Sequence, residues 1–283
     1  MKRVIVPFFI SHQGCPHQCV FCDQKTITGS SGVLPSPAEL LAAVQAWRLT
    51  SKRASVEVAF YGGSFTLLSR EQHEELLTPL QPLLLSGEVS SIRISTRPDA
   101  VDSPTVRFLR ESGVSLVELG VQSMDDRVLE MVGRGHTAQD TVDAFANLRV
   151  EGLQVGAQMM PGLPGESAAG AIASFRKVLS LRPDLIRIYP AVVLQGTELA
   201  RMYQEESYRP LSLEEAVDIC KVMLQDAGRA GIPVIRVGLQ PTDGLSFGAE
   251  IIAGPYHAAF RQLVEGERWF DLLKVITKGI DPG

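Results

Sequence analysis

The sequence predicts an α/β fold in which βα units curl into a partial (β/α)6 barrel. Short apolar runs rich in valine and isoleucine alternate with longer segments of helical period, a pattern typical of a parallel sheet with crossover helices. The 283 residues suffice for one such domain and a short appendage, because α/β barrels commonly run to about 250 residues. We therefore expect a partial barrel over residues 1–210 and a C-terminal helix–strand extension over residues 211–283.

Six segments are predicted as strands, since each is short, apolar and bounded by turn residues. The predicted strands cover residues 4–10, 56–61, 91–96, 116–122, 153–160 and 185–189. Right-handed crossovers place the carboxyl ends of all these strands on one rim of the sheet. That rim is where we expect the chemistry.

Helical segments with recognisable ends lie between these strands. The predicted helices cover residues 38–49, 70–85 and 138–151. Ser36 and Ser69 precede the first two helices, in the position where a hydroxyl satisfies free backbone amides. Thr137 caps the third helix and Gly152 ends it.

The predicted extension contains one helix, a strand over residues 233–237 and a less regular tail. Cys220 lies on that helix beside core positions, so we expect an inert buried thiol. The stretch 254–257 looks like the beginning of a further carboxy-terminal module.

The composition, with 45% hydrophobic and 21% charged residues, is that of an ordinary globular protein. The sequence has no run of about 18 apolar residues and no signal-peptide cleavage site, so we expect no membrane partner and a cytoplasmic location. The net charge of −5 argues against a broad nucleic-acid surface. The basic residues Arg48, Lys52 and Arg53 are expected at solvated helix ends.

Three of the four cysteines, Cys15, Cys19 and Cys22, lie within eight residues at the end of the first predicted strand. This clustering indicates a metal site and not a disulfide framework. Three thiolates on one loop can hold three irons of a 4Fe-4S cluster and leave the fourth iron open to a small molecule. A Cys3His-type zinc site, with His12, His17 or Asp23 as the fourth ligand, is the alternative, although no second Cys-x2-Cys arm is present.

The spacing Cys-x3-Cys-x2-Cys, with Phe21 before the last cysteine, resembles the signature of the radical S-adenosylmethionine (SAM) superfamily. The resemblance implies a partial barrel of the radical SAM type and a SAM molecule bound to the open iron, near Phe21. It also implies that one electron from the cluster cleaves SAM to methionine and a 5′-deoxyadenosyl radical.

The ends of the second and third predicted strands carry residues that fit this resemblance. Gly62 and Gly63 let the backbone approach a ligand closely, and with Ser64 they resemble the family's Gly-Gly-Glu motif, which holds the amino group of SAM. Ser95 and Arg97 stand where the family places polar groups near the ribose and carboxylate of SAM.

The fourth strand end, Glu-Leu-Gly-Val-Gln-Ser followed by Arg-Gly-His-Thr, resembles a block shared by oxygen-independent coproporphyrinogen oxidases and the Elongator catalytic-subunit family. The resemblance implies that Gln122 contacts the ribose and that Arg134 binds the SAM carboxylate, a task for which the bidentate guanidinium is suited. A solvated helix end is the alternative for Arg134. His136 is expected to be structural, with a proton-transfer role left open.

The fifth and sixth strand ends extend the resemblance. Met160, with Leu163 of a Gly-Leu-Pro-Gly turn, resembles an apolar wall for adenine, and Gln158 replaces an aspartate that contacts the ribose in coproporphyrinogen oxidases. Tyr189, in a Tyr-Pro-x5-Gly-Thr stretch like that of the Elongator family, is a candidate catalytic residue facing the substrate; an ordinary buried tyrosine is the alternative.

The first hypothesis for function is therefore a radical SAM enzyme acting on an unidentified substrate, with an electron donor such as flavodoxin or ferredoxin. A non-catalytic carrier that binds a cluster and SAM and delivers a tetrapyrrole or metal cofactor is the second hypothesis, and a zinc-binding module is the third. The Elongator resemblance also implies transfer-RNA modification. We expect this less, because the chain offers no room for the Elongator acetyltransferase domain and its charge does not support nucleic-acid binding.

Overall fold

The fold is built on one curled parallel sheet. The computed structural model describes residues 3–50, 54–241, 245 and 248–277. The strands in this part of the chain are β1 (Arg3–Phe9), β2 (Ser55–Tyr61), β3 (Ser91–Thr96), β4 (Val114–Gln122), β5 (Gln154–Met159), β6 (Leu185–Ile188), β7 (Val193–Leu194), β8 (Val234–Val237) and β9 (Ile251–Ala253).

The helices alternate with the strands along most of the chain. They are α1 (Gln24–Thr28), α2 (Pro37–Thr50), α3 (Arg70–Leu77), α4 (Gln81–Leu85), α5 (Ser103–Glu111), α6 (Asp126–Met131), α7 (Ala138–Val150), α8 (Ala168–Ser180), α9 (Glu198–Gln204), α10 (Leu213–Ala230) and α11 (Phe260–Thr277). None of them, within the described ranges, is both long and apolar enough to cross a membrane.

All six predicted strands are confirmed, and the sheet order is β1-β2-β3-β4-β5-β6-β8 with parallel pairing throughout. The sheet of the described chain thus has seven strands, one more than the predicted (β/α)6 arrangement. The seventh is the strand expected in the extension. It joins the barrel sheet because α10 packs against α8 and acts as one more crossover helix.

Alternate residues of the strands face opposite sides of the sheet. One side carries valine, isoleucine and phenylalanine, such as Val58, Phe60 and Ile94, which pack under the helices in the main hydrophobic core. The other side, which we call the lumen face, carries Glu57, Arg93 and other polar residues at the intervening positions. The lumen face is therefore the polar side of the sheet.

Two predicted elements differ in detail, and one predicted cap is confirmed. The helix predicted over residues 70–85 is divided into α3 and α4 by a short 3-10 turn, because Pro79 and Pro82 cannot donate the backbone hydrogen bonds of a continuous helix. The tail expected to be irregular contains the long helix α11 and the strand β9, which pairs with β7. Thr137 caps α7 as predicted, in a capping box with Asp140.

Two remaining predictions concern single residues of the extension and of α2. Cys220 lies fully buried on α10, as expected for an inert thiol. Arg48 forms an ion pair with Glu88 near the end of α2, while Lys52 and Arg53 lie outside the described residues.

Candidate cluster and cofactor site

The three clustered cysteines lie on the loop between β1 and α1, at the carboxyl end of β1. Backbone hydrogen bonds shape this loop: the Cys15 amide donates to the His12 carbonyl at 3.3 Å, and the Cys22 amide donates to the Cys19 carbonyl at 3.0 Å. Cys19 is buried, whereas Cys15 and Cys22 are partly exposed. The fold therefore presents three thiols from one short loop at the rim where chemistry was expected.

The glycines after β2 hold this loop against the sheet. Gly63 has a φ of 61°, and a Cβ there would lie 2.4 Å from the Gln13 carbonyl oxygen and 2.6 Å from that of Ile10. Only glycine fits that approach. The Oε1 of Gln24 accepts hydrogen bonds from the amides of His12 and Gly63, each at 2.7 Å. In this structure the Gly63 amide is thus engaged in a hydrogen bond that holds the cysteine loop.

Ser64 continues this contact. Its amide donates to the Gln13 carbonyl at 2.8 Å, and its fully buried hydroxyl lies 3.6 Å from the Sγ of Cys15. The predicted Gly62-Gly63-Ser64 segment is therefore placed directly beside the cysteine loop. Gly62 also requires glycine, since its φ is 75° and a Cβ would lie 3.0 Å from Gln24 Oε1.

Arg134 is buried beside the cysteines and is not a solvated helix end. Its Nη1 donates to the Sγ of Cys19 at 3.3 Å, and its Nη2 donates to the Gly120 carbonyl at 2.6 Å. Arg97 supports it, since Arg97 pairs with both oxygens of Asp99 at 2.9 and 3.0 Å and donates to the Arg134 carbonyl. The structure thus brings two predicted arginines to the cysteine loop.

Gln122 ends β4 in an unusual backbone conformation, with a φ of 68°. Its carbonyl accepts the amide of Met160 at 2.9 Å, which joins the ends of β4 and β5. Gly120 makes room for two side chains, because a Cβ at Gly120 would lie 3.1 Å from Gln122 Nε2 and 3.3 Å from Arg134 Nη2. Gln122 and Arg134 are therefore neighbours at this strand end.

Several buried polar atoms around this strand end have no hydrogen-bond partner among the described residues. They are Gln122 Oε1, Arg134 Nε and both ring nitrogens of His136. Buried polar groups are normally satisfied, so such atoms are where a polar ligand would bind. A carboxylate would suit the guanidinium, and ribose hydroxyls would suit the amide oxygen. The residues present fit SAM.

The donor set also fits an iron–sulfur cluster. In a 4Fe-4S cluster each thiolate binds its own iron, so the three cysteines need not converge on one point. Within residues 3–50, 54–241, 245 and 248–277, no three His, Cys, Asp or Glu side chains are arranged to hold a single metal ion. Three thiols on one loop are a donor set that fits the cluster, for which Cys15, Cys19 and Cys22 would be the ligands.

The electrostatics of the loop keep the free thiols protonated. Burial, together with the neighbouring Cys19 and Cys15, raises the pKa of Cys22 to about 12, although Arg134 opposes this. Burial also raises the pKa of Cys15. Metal binding must therefore release these protons.

His136 is held neutral in the same region. Burial, with the nearby Arg134, lowers its pKa to about 4. The ring lies close to the Val121 backbone without meeting hydrogen-bond geometry. The predicted structural role fits this burial, and a neutral imidazole is also able to donate or accept one hydrogen bond from a ligand.

An apolar cluster covers one side of the cysteine loop. Phe21, Leu163 and Cys19 are buried in it, and Met160 packs against it. The Gly-Leu-Pro-Gly turn that contains Leu163 is fixed by Glu166, whose carboxylate accepts the Gly162 amide at 3.1 Å. Phe21 and Met160 thus both lie near the cysteines, as predicted for residues around the cofactor.

The other predicted residues lie along the lumen face. Ser95, Gln158 and Tyr189 are each partly exposed on β3, on β5 and just after β6. Gln158 pairs in register with Arg187, and the Tyr189 hydroxyl accepts a hydrogen bond from Arg187 Nη1 at 3.3 Å. By strand alternation Ser95 and Gln158 lie on the same face as Arg187, which Tyr189 contacts through its hydroxyl.

The sequence analysis missed the charged residues of the lumen face. Glu57, Arg93, Glu118 and Arg187 form one chain of ion pairs across four strands. A signal was present, because each residue is a charged position between apolar neighbours in a predicted strand. That pattern indicates a strand with one polar side.

Two protein-family models match most of the chain. The model of the Radical SAM superfamily matches residues 9–177, and that of the Radical_SAM C-terminal domain matches residues 183–269. The chain is 37% identical over 129 residues to the tRNA uridine(34) acetyltransferase of Methanocaldococcus jannaschii, a match that covers 44% of this chain and 24% of that protein.

Two further similarities cover more of the chain. It is 26% identical over 226 residues to the heme chaperone HemW of Bacillus subtilis, covering 77% of this chain and 59% of that protein. The fold matches the archaeal Methanocaldococcus infernus Elp3 with an N-terminal deletion at a TM-score of 0.74 and 21% identity, covering 96% of this chain and 64% of that one.

These relatives are longer than the matched region: the chain spans about a quarter of the acetyltransferase and three fifths of the heme chaperone. The partial barrel of the radical SAM type is confirmed by the structural match. Because the superfamily model covers more than half of the sequence, including the three clustered cysteines, this chain belongs to the radical SAM superfamily of enzymes.

Proposed function

We propose that this protein is an enzyme that reductively cleaves SAM at a 4Fe-4S cluster and uses the resulting 5′-deoxyadenosyl radical on a substrate. The observation that carries the proposal is the contact between Arg134 and Cys19, which joins a candidate cluster ligand to a candidate SAM-binding residue at 3.3 Å. When bound, the cluster and SAM supply the electron and the radical.

The residues of the chain supply the binding and orientation. Cys15, Cys19 and Cys22 would hold iron as thiolates, and burial, which raises the pKa of Cys15 and of Cys22, makes proton release from these two thiols part of metal binding. The unpaired Arg134 Nε and Gln122 Oε1 offer a donor and an acceptor to SAM. Gly62 and Gly63 would position the loop, because the lack of a Cβ at Gly63 lets the carbonyls of Ile10 and Gln13 approach its backbone closely.

The surroundings of the loop would exclude water from the chemistry. Phe21 and Leu163 are buried, and Met160 packs against them. An apolar wall of this kind strengthens electrostatic contacts and protects a reactive radical from side reactions. Arg97 would act as a positioning residue, because Asp99 and the Arg134 carbonyl already use its guanidinium.

An electron donor of the flavodoxin or ferredoxin class completes the proposal. Cys15 and Cys22 are partly exposed and His17 is exposed, so this loop gives a partner protein access to the cluster. A reducing compartment such as the cytoplasm would suit both the free thiols and the cluster.

The similarity to a tRNA uridine(34) acetyltransferase supports a second, finer candidate, in which the substrate is a base of RNA. The similarity to a heme chaperone supports the non-catalytic carrier instead. These two candidates differ in a measurable way, because only an enzyme forms 5′-deoxyadenosine in an amount that rises with a true substrate.

The test is anaerobic reconstitution with iron and sulfide, followed by SAM and dithionite. We expect a brown protein that produces 5′-deoxyadenosine, measured by chromatography. Cys220→Ala is the matched control for Cys19→Ala, since both remove a buried thiol and only Cys19 lies in the loop. A reconstituted protein that binds SAM without cleaving it would favour the carrier, and retention of zinc with no iron absorbance would favour the zinc module.

A further inference from the structure

A cavity beside the cysteine loop is lined by side chains that the proposed function leaves without a role. Its volume is about 510 Å³, within the range of cavities that bind small molecules. The lining residues come from the start of the loop, from α1, from the segment before α2 and from α3, and they include His12, Lys25, Gly32 and Gln72. None of the lining residues that the structure describes is acidic, and none belongs to the cluster ligands or to the candidate SAM-binding group.

His12 lines this cavity from a strained backbone position. Its φ of 61° lies in the left-handed region, which few residues with a side chain adopt and which recurs at functional sites. Three hydrogen bonds fix the residue: its amide donates to Gln24 Oε1 at 2.7 Å, its carbonyl accepts the Cys15 amide at 3.3 Å, and its Nε2 accepts the Gln24 amide at 3.0 Å. Because Nε2 is an acceptor, the proton of the neutral ring is on Nδ1, which is therefore a donor.

Two further donors line the cavity. The side chain of Lys25 passes over Gly32, where a Cβ would lie 3.2 Å from Lys25 Cε, and its ammonium forms no ion pair within the described ranges. Gln72 accepts the Ser69 amide through Oε1 at 2.9 Å, which leaves its amide nitrogen as a donor. No described residue accepts a hydrogen bond from these two nitrogens or from His12 Nδ1.

The cavity thus offers three donors, one of them charged, and no negative group among its described lining residues. The carboxylate of Asp23 lies near His12, but it caps its own helix: Thr26 donates to Oδ1 from its amide at 3.1 Å and to Oδ2 from its hydroxyl at 2.6 Å. Val33 and Leu34 add apolar surface to the lining, and Val33 is 73% exposed. Such a lining favours a ligand with an anionic end and an apolar end.

We propose that this cavity binds a phosphate group through the Lys25 ammonium, the His12 Nδ1–H and the Gln72 amide. The inference goes beyond the proposed function, which assigns no role to these side chains. A tetrahedral phosphate fits this donor set better than a planar carboxylate does, because an ammonium acts as a point charge, whereas the paired N–H groups of arginine match a carboxylate. The phosphate is either a free ion or the end of an organic phosphate ester whose apolar part packs on Val33 and Leu34.

Anaerobic titration calorimetry of the reconstituted protein, in a buffer free of phosphate and sulfate, tests the site with inorganic phosphate and with phenyl phosphate. Lys25→Met removes the ammonium and keeps the alkyl chain over Gly32. It should weaken phosphate binding about 10- to 100-fold, the value of one charge-assisted hydrogen bond. Lys25→Arg keeps the charge and should stay within about 3-fold of the parent. Lys274→Met, on the exposed end of α11, is the matched control and should have no effect.

Gln72→Glu tests the site from a different element. The cap of α3 should persist, because glutamate serves in a capping box as glutamine does. The new carboxylate replaces a donor and repels the anion, so phosphate binding should fall about 10-fold or more. Gln204→Glu, exposed at the end of α9, adds the same charge elsewhere and should have no effect.

The result expected is phosphate binding by the parent and its loss in Lys25→Met and Gln72→Glu. Tighter binding of phenyl phosphate would identify an ester as the ligand, whereas equal or weaker binding would identify free phosphate, and both results support the site. Iron content reports whether each variant keeps its fold, and if Lys25→Met lost iron, Gln72→Glu would decide. Absence of binding of either phosphate by the parent, or unchanged affinity in the folded variants, would overturn the inference.

Discussion

The guanidinium of Arg134 contacts the Sγ of Cys19 at 3.3 Å while it also binds the Gly120 carbonyl. One side chain thus connects the end of β4 to a cysteine of the loop after β1, across the rim of the sheet. A hydrogen bond donated to a sulfur that binds iron stabilises the reduced form of an iron–sulfur cluster, because reduction adds negative charge. Under the proposed function, Arg134 would influence both the bound SAM and the cluster.

The first prediction concerns the thiols. Replacement of Cys15, Cys19 or Cys22 by alanine should abolish the cluster, because each thiolate holds one iron. Cys220→Ala should keep it, since that thiol is buried on α10 in the hydrophobic core. Iron content and visible absorbance after anaerobic reconstitution measure the cluster in the three loop variants and in Cys220→Ala. A full iron complement in Cys19→Ala would contradict the assignment.

The second prediction concerns Arg134. Arg134→Ala should retain the cluster absorbance yet weaken SAM binding by on the order of 2–4 kcal/mol, the cost of removing one member of a desolvated charge pair. Arg134→Lys should restore part of the affinity, because an ammonium keeps the charge and lacks the bidentate geometry.

A SAM titration followed by electron paramagnetic resonance of the reduced cluster gives the affinity for these variants. Arg127→Ala is the matched control, because that arginine is exposed on α6. If Arg134→Ala bound SAM as tightly as the parent, Arg134 would have only its role beside Cys19.

The third prediction separates backbone strain from steric contact. Gly29 and Gly63 have φ values of 66° and 61°, but a Cβ at Gly29 meets nothing within 4 Å. Gly29→Ala should cost on the order of 1–2 kcal/mol for the left-handed backbone alone. Gly63→Ala should cost more, because its Cβ would collide with two carbonyl oxygens. Urea unfolding of the metal-free proteins gives the free energy of unfolding of each variant. Equal losses of that free energy in the two variants would show that Gly63 has no packing role.

The fourth prediction concerns pH. Burial raises the pKa of Glu166 to about 7 from 4.5, although hydrogen bonds from Ser123 and from backbone amides oppose this. Because the folded pKa is the higher one, the contribution to stability is complete below pH 4.5 and is lost as pH rises through 7, by on the order of 1–3 kcal/mol. Glu166→Gln should remove this dependence.

Denaturant unfolding of parent and Glu166→Gln between pH 4 and 8 tests that prediction. His136 contributes with the opposite sign, since its pKa is lowered to about 4 and its stabilisation is lost as pH falls below 6.5. The difference between the two proteins isolates Glu166, because both contain His136. A difference that does not change with pH would contradict the assignment.

Sequence patterns predicted the parts of this structure that are local. The six strands follow from short apolar runs, the α7 cap follows from Thr137, and the cysteine loop follows from spacing within eight residues. The family resemblance of the segment at and after the end of β4 also led to the prediction that Gln122 and Arg134 share one site.

Contacts between residues that are far apart in the sequence could not be predicted from local patterns. The Arg134–Cys19 contact joins positions 115 residues apart, and no periodicity encodes it. The ion pairs of the lumen face depend on the register of four strands. The strand β8 was recognised but assigned to an appendage, because local pattern does not specify its neighbour. The helix α11 was missed since exposed Trp269 and Phe270 obscure its amphipathic pattern.

Because Glu118 is shared by two arginines, the substitutions that evolution can accept on the lumen face are restricted. Loss of Glu118 alone would leave Arg187 without a carboxylate and Arg93 with Glu57 as its one remaining acidic partner among the described residues, a cost well beyond that of an ordinary substitution. The four charges can therefore diverge only through coordinated replacements. Tyr61 and Tyr189 contact the network without balancing any charge in it, so each is free to vary singly. Substitutions at the tyrosines would then change the exposed part of this face while the four charges stay in place.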